Sequence, residues 1–88
     1  MSNKTSNKVL MVSTPDCGSC RMFYTVLESK GLPIEIVDAT EQPERAAEHN
    51  VTSVPAFVLE DENGKHVETL AVGALEGMRF INTTDLFK

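Results

Sequence analysis

Val9-Leu10-Met11-Val12-Ser13-Thr14-Pro15-Asp16-Cys17-Gly18-Ser19-Cys20-Arg21 is the stretch on which the reading of this chain turns. Its first part, Lys8 to Ser13, is a near-continuous apolar run whose length suits a strand buried on both faces. Thr14-Pro15-Asp16 breaks that run. Beyond the cysteines, Met22, Phe23, Val26 and Leu27 recur with helical spacing and form one stripe, while Arg21, Thr25 and Glu28 lie off it. Thr14 or Asp16 is placed to cap this helix, and Gly31 suits the left-handed position that ends it. A strand that gives way to a helix here sets Cys17 at the helix N-terminus. Unpaired backbone N–H groups and the positive end of the helix dipole favour an anion there, and a cysteine offers one as its thiolate. Cys20 lies one turn further in, away from water.

The whole chain has 88 residues, enough for one modest core, and its 41% apolar content argues for a globular chain over a disordered one. A formal charge of -5 argues against a nucleic-acid or anionic-membrane surface. No apolar run approaches the length of a membrane span. Residues 1–7 are polar and without a signal-peptide core; they read as a flexible lead-in to one domain over 8–88. Two cysteines do not make a disulfide scaffold, and without an export signal the expected location is the reducing cytoplasm. A Cys-x-x-Cys pair is more often catalytic or metal-binding than structural there.

Downstream, Pro33 to Asp38 reads as a second strand with Ile34 and Ile36 inward, Val37 as a further inward candidate, and Glu35 outward. Pro43 opens a short helix to His49, with Glu41 and Glu44 at its positive end and Asn50 as terminator. Ala56 to Glu60 reads as a third strand. Asp61-Glu62-Asn63-Gly64 is a strong hairpin signal, with Lys65 to Val72 as the return strand. Gly73 breaks it. Ala74 to Asn82 reads as a last helix carrying Leu75, Met78 and Ile81 inward, and Leu86 and Phe87 tie down the end. The order β-α-β-α-β-β-α predicts an α/β fold with a four-stranded mixed sheet and helices on both faces. Helical links between the first three strands predict that they run parallel.

Two motifs carry the chemistry. Cysteines at i and i+3 across a helix start close a disulfide with little movement. The exposed Cys17 suits attack on a substrate disulfide, and Cys20 suits the second attack that frees the reduced product. Asp16 opposes the lowering of the Cys17 pKa and Arg21 favours it, which predicts a modest depression and a reductant rather than a strong oxidant. The second motif is Ser53-Val54-Pro55. A proline at a strand start cannot donate to the ladder. In this context a cis Val54–Pro55 bond is expected, turning the Val54 backbone toward an extended substrate segment.

In this order and spacing, Cys17-Gly18-Ser19-Cys20, Thr52-Ser53-Val54-Pro55 and Gly73 resemble a glutaredoxin, or a minimal thioredoxin-fold protein of the size found in bacteriophages. The resemblance covers Lys8 to Ile81. It implies a thioredoxin-like fold and a dithiol–disulfide oxidoreductase that reduces protein disulfides and carries electrons, ribonucleotide reductase being one substrate served by such proteins. It implies no bound cofactor, a monomer, and recycling by glutathione or by thioredoxin reductase. The substrate-contacting positions it implies are Thr14, Pro15, Gly18, Ser19, Ser53, Val54, Pro55, Gly73 and Ala74. Glutaredoxins commonly carry Cys-Pro-Tyr-Cys, a basic residue where this chain has Thr14, and Gly-Gly where it has Gly73-Ala74. The departure at Thr14 removes a cationic hold on a glutathione carboxylate, for which Arg21 or Lys30 is a partial substitute.

Two other classes fit parts of the pattern. One is a redox-sensitive docking module with this fold and little reductase activity. The other is a zinc-stabilised domain, which needs His49 and His66 as further ligands, although neither has ligand spacing to a partner. Both histidines read as solvated surface residues. Tyr24 reads as packing of the first helix. Asp38 reads as a strand-end carboxylate, with proton transfer to Cys20 as its functional alternative.

Overall fold

A computed structural model of the chain describes residues 7–84. All but the last residue of the lead-in over 1–7, and the Leu86–Phe87 anchor expected from the sequence, lie outside those residues. Seven elements follow in order: β1 (Lys8–Ser13), α1 (Gly18–Lys30), β2 (Ile34–Asp38), α2 (Pro43–Glu48), β3 (Ala56–Glu60), β4 (His66–Val72) and α3 (Ala74–Thr83). The strands form one mixed sheet in the order β2-β1-β3-β4. This is the expected α/β thioredoxin-like architecture.

One feature of the topology differs from the expectation. β1 and β2 are parallel, but β3 runs antiparallel to β1, with Ala56 opposite Val12 and Glu60 opposite Lys8. The reason lies after α2. The chain leaves β2 at Asp38, opposite Ser13, and by His49, at the end of α2, it has reached Glu60 at the other end of the sheet. Residues 50–55 then bring it back, so that β3 starts at Ala56, opposite Val12, at the end where β2 stopped. β4 returns antiparallel through the 61–65 turn. There Gly64 takes a positive φ of 79°, and the Asp61 carboxylate accepts the N–H groups of Asn63 and Lys65 at 2.9 and 3.0 Å.

Strand alternation splits the core into two layers. On one face Leu10, Val12, Val37, Ala56 and Val58 pack under Ala46 of α2. On the other, Met11, Phe57 and Ala71 meet Phe23 and Leu27 of α1 and Ile81 of α3. Phe57 stacks edge-on against Phe23, with centroids 5.3 Å apart. Gly31 closes α1 in the left-handed conformation, φ 64°, as its sequence position predicts.

Three inward assignments are corrected. Met22 is exposed, because the buried face of α1 runs through Cys20, Phe23 and Leu27. Ile36 is exposed on the edge strand β2, where Val37 is the buried residue. Leu75 is 75% exposed. α3 presents Ala74, Gly77, Met78 and Ile81 to the sheet instead, because only Gly77 leaves room for the two phenylalanine rings beneath it.

Candidate active site

Three chain segments reach the same end of the sheet. β1 ends at Ser13 and feeds the 14–17 loop. Ala56 stands opposite both Val12 and Val72, so Pro55 and Gly73 each lie one step past their strands at that end. The backbone N–H of Gly73 donates to the Pro55 carbonyl at 2.8 Å. The Val54–Pro55 peptide is cis, as expected. Thus Thr14 and Pro15 come from the first connection, Gly18 and Ser19 from the first turn of α1, Ser53, Val54 and Pro55 from the entry to β3, Gly73 from the step between β4 and α3, and Ala74 from the first residue of α3.

Cys17 and Cys20 form a disulfide across the first turn of α1, with Cα atoms 5.2 Å apart. Cys17 is partly exposed and Cys20 is wholly buried. The helix is capped by Cys17 itself: its Sγ accepts the backbone N–H of Cys20 at 3.1 Å. Neither Thr14 nor Asp16 takes the cap. The loop closes through Cys17 N–H to the Thr14 carbonyl, 3.2 Å, and the Thr14 hydroxyl donates to the Asp16 carboxylate at 2.9 Å. That pairing leaves Asp16 a residue short of the helix. A thiolate at Cys17 takes the place of a capping oxygen, receiving a helix N–H and the dipole's positive end. Ser19 Oγ stands 3.6 Å from the same sulfur. Arg21 reaches back to the Pro15 carbonyl at 3.4 Å.

Beneath the site, Ser13 is buried and its hydroxyl pairs with the Tyr24 hydroxyl at 3.1 Å, tying the end of β1 to the second turn of α1. Tyr24 therefore has a packing role, as its position in α1 predicts. Asp38 Oδ1 accepts the N–H and hydroxyl of Thr40, and the hydrogen bonds from Thr40 hold its carboxyl below the ordinary range. It organises the turn that leads to α2.

The histidines are not where the sequence puts them. His49 is 2% exposed. Its Nε2 lies 3.0 Å from Glu60 Oε1, and its Nδ1 lies 2.8 Å from His66 Nδ1. Glu60 lies opposite Lys8, so this cluster occupies the far end of the sheet from the cysteines. Among the described residues no group of three or more His, Cys, Asp or Glu side chains converges as a metal site. The cluster had a sequence signal. Period-two alternation puts Glu60 on the buried face shared by Ala56 and Val58, and Arg45 and His49 share one face of α2 four residues apart.

Among the described residues no helix is long and apolar enough to cross a membrane. The glutaredoxin family model matches residues 9–67. A prophage-derived thioredoxin-like protein of Bacillus subtilis is 33% identical over 60 residues, which span 68% of this chain and 75% of that protein. Thioredoxin H2 of Arabidopsis thaliana is 40% identical over 78 residues; the match covers 81% of this chain but 57% of the plant protein. Among solved structures, Fasciola hepatica thioredoxin superposes with a TM-score of 0.67 at 28% identity, over 91% of this chain and 82% of that one. The thioredoxin of Malassezia sympodialis gives 0.66 at 27% identity, over 88% and 71% respectively.

Proposed function

The chain belongs to the glutaredoxin family and is a thiol–disulfide oxidoreductase, and from that premise we propose that it reduces disulfides in other proteins, with Cys17 attacking and Cys20 resolving. The observation that carries this reading is the asymmetry of the pair: one sulfur partly exposed at a helix cap, the other wholly buried one turn in.

The steps balance as follows. The Cys17 thiolate attacks one sulfur of the substrate disulfide, forming a mixed disulfide and expelling the other substrate sulfur as a thiolate. Cys20 loses its proton and attacks Cys17 Sγ, releasing the second substrate thiolate. The substrate gains two electrons, and the protein is left with the Cys17–Cys20 disulfide. During the first step the N–H of Cys20 remains directed at Cys17 Sγ, which favours its thiolate. An extended substrate segment lies along the Val54 backbone. Thr14, Pro15, Gly18 and Ser19 border it on one side, and Ser53, Pro55, Gly73 and Ala74 on the other. The exposed Leu75 and Val72 add an apolar rim that fits a protein surface better than a small polar thiol.

Electrons return from glutathione or from thioredoxin reductase, in a reducing cytoplasm, to a monomer without a bound cofactor. Ribonucleotide reductase is one candidate substrate. With Thr14 in place of a cationic residue, the reading favours thioredoxin reductase. Parallel recycling assays test it, with NADPH consumption followed in each. One contains glutathione and glutathione reductase, the other thioredoxin reductase. Faster turnover in the second supports this choice, and turnover in the first alone reverses it. Silence in both, with both thiols intact, removes the oxidoreductase role in favour of redox-sensitive docking.

A further inference from the structure

The far end of the sheet holds a chain of hydrogen bonds in which every proton has an assignable place. Arg45 Nη2 donates to Glu60 Oε2 at 2.8 Å, and Arg45 Nη1 donates to Glu35 Oε2 at 2.9 Å. Lys8 Nζ lies 3.5 Å from Glu35 Oε1. Burial raises the Glu60 pKa, but the bonds from Arg45 and His49 outweigh it and hold the carboxyl below its ordinary value. A carboxylate only accepts, so His49 Nε2, 3.0 Å from Glu60 Oε1, carries a hydrogen. The other ring nitrogen of neutral His49 is then bare. It faces His66 Nδ1 at 2.8 Å, so His66 Nδ1 carries the hydrogen of that bond. His66 Nε2 is bare in turn, facing the Thr69 hydroxyl at 3.5 Å. The backbone N–H of His66 donates to Glu48 Oε2 at 3.2 Å.

One added proton fits. It goes to His49 Nδ1, the bond between the rings reverses, and His66 moves its own hydrogen to Nε2, toward Thr69. A second added proton does not fit. It sets two N–H groups head to head across the gap, with two positive rings whose centroids are 5.0 Å apart. The carboxylates that face the pair are Glu60 from β3 and Glu48 from α2. Arg45 already occupies Glu60, and the charges of Glu35 and Lys8 from β2 and β1 are engaged one layer away.

From this geometry we propose that His49 and His66 form a proton-operated clamp between the end of α2 and the start of β4, closed with zero or one added proton and opened by the second. His49 is buried and His66 partly exposed, so opening swings His66 away and frees the turn after α2. That turn, where Asn50 has a positive φ of 55°, leads through residues 51–54 to Pro55. Acid therefore loosens the segment that carries the cis proline, at a distance from the cysteines.

The test is nitrogen-15 NMR of the two imidazoles in the intact protein, from about pH 8 to about pH 5, with amide hydrogen exchange measured alongside. At the upper limit His49 should be the Nε2–H tautomer and His66 the less common Nδ1–H tautomer. Acid should bring two separate steps. The first converts His66 to Nε2–H as His49 becomes doubly protonated. The second coincides with faster exchange at residues 49–55 and 66–69. In a His66→Phe variant His49 should titrate in one step, and the acid-induced exchange at 49–55 should vanish. An Nε2–H tautomer for His66 at the upper limit overturns the clamp. So does a single shared protonation step in the wild type, or acid-induced exchange at 49–55 that survives in the variant.

Discussion

The N–H of Gly73 donates to the carbonyl of Pro55 at 2.8 Å, joining the residue after β4 to the cis proline at the mouth of β3. The bond depends on a backbone that only glycine adopts readily, φ 91° and ψ 166°. A Cβ at this position would meet nothing within 4 Å. Gly73→Ala should therefore cost about 1–3 kcal/mol through backbone strain alone, and it should slow substrate reduction by loosening the Pro55 side of the site. Urea unfolding and a reduction assay read the two effects. An unchanged midpoint would mean that the backbone is not held there.

Gly77 offers the opposite case, in which space decides. A Cβ would lie 2.6 Å from Phe57 Cε1 and 3.1 Å from Phe23 Cζ, and both rings are fully buried. Alanine gains about 1 kcal/mol of helix propensity over glycine, but overpacking a rigid core costs about 1–3 kcal/mol. The overlap is with aromatic ring edges that have nowhere to turn, so overpacking wins. Gly77→Ala should lower the urea midpoint, with net destabilisation of up to about 2 kcal/mol.

Leu75 is exposed beside Gly73 and supports nothing in the core. Leu75→Asp should leave stability within about 0.5 kcal/mol. It should raise KM for a protein disulfide roughly three- to tenfold by removing an apolar contact, with little effect on a small-molecule disulfide. Steady-state kinetics on the two substrates separate these outcomes. Equal losses on both would place Leu75 outside the recognition surface.

Glu60 is buried with Arg45 as its cationic partner. Arg45→Leu leaves that carboxylate with His49 alone and should cost about 2–4 kcal/mol, less than a fully buried pair because Arg45 is partly exposed. The sign with pH follows from the lowered Glu60 pKa. Its contribution is present above the ordinary glutamate value of 4.5 and lost as pH falls through the lower folded value. The wild-type urea midpoint should fall below about pH 4.5 more steeply than that of Arg45→Leu. Parallel curves would remove Arg45 as the group that holds the Glu60 charge.

The cysteine end of the molecule was legible because its signals are local. Four consecutive residues, Cys17 to Cys20, fix the redox pair, the place of Val54-Pro55 at a strand start downstream of that pair points to its cis bond, and Gly73 marks the break after β4 by its residue type. The direction of β3 was not legible in the same way. It depends on residues 50–55, which bring the chain back along the sheet after α2, and element order does not express that return. His49 was misread because its partners, Glu60 and His66, lie 11 and 17 residues away, and no short window holds all three. Leu75 lies outward for a related reason: helical spacing finds an apolar stripe, but the volume left by Phe23 and Phe57 selects Gly77 as the residue that faces them.

The division of labour between the cysteines is tested most directly by offering a disulfide-bonded protein to Cys17→Ser and Cys20→Ser variants and identifying covalent products by mass spectrometry. Cys20→Ser should accumulate a mixed disulfide at Cys17, and Cys17→Ser should form none and reduce nothing. Reduction by Cys17→Ser, or a substrate adduct on Cys20 in place of Cys17, would contradict the assignment of Cys17 as the attacking sulfur.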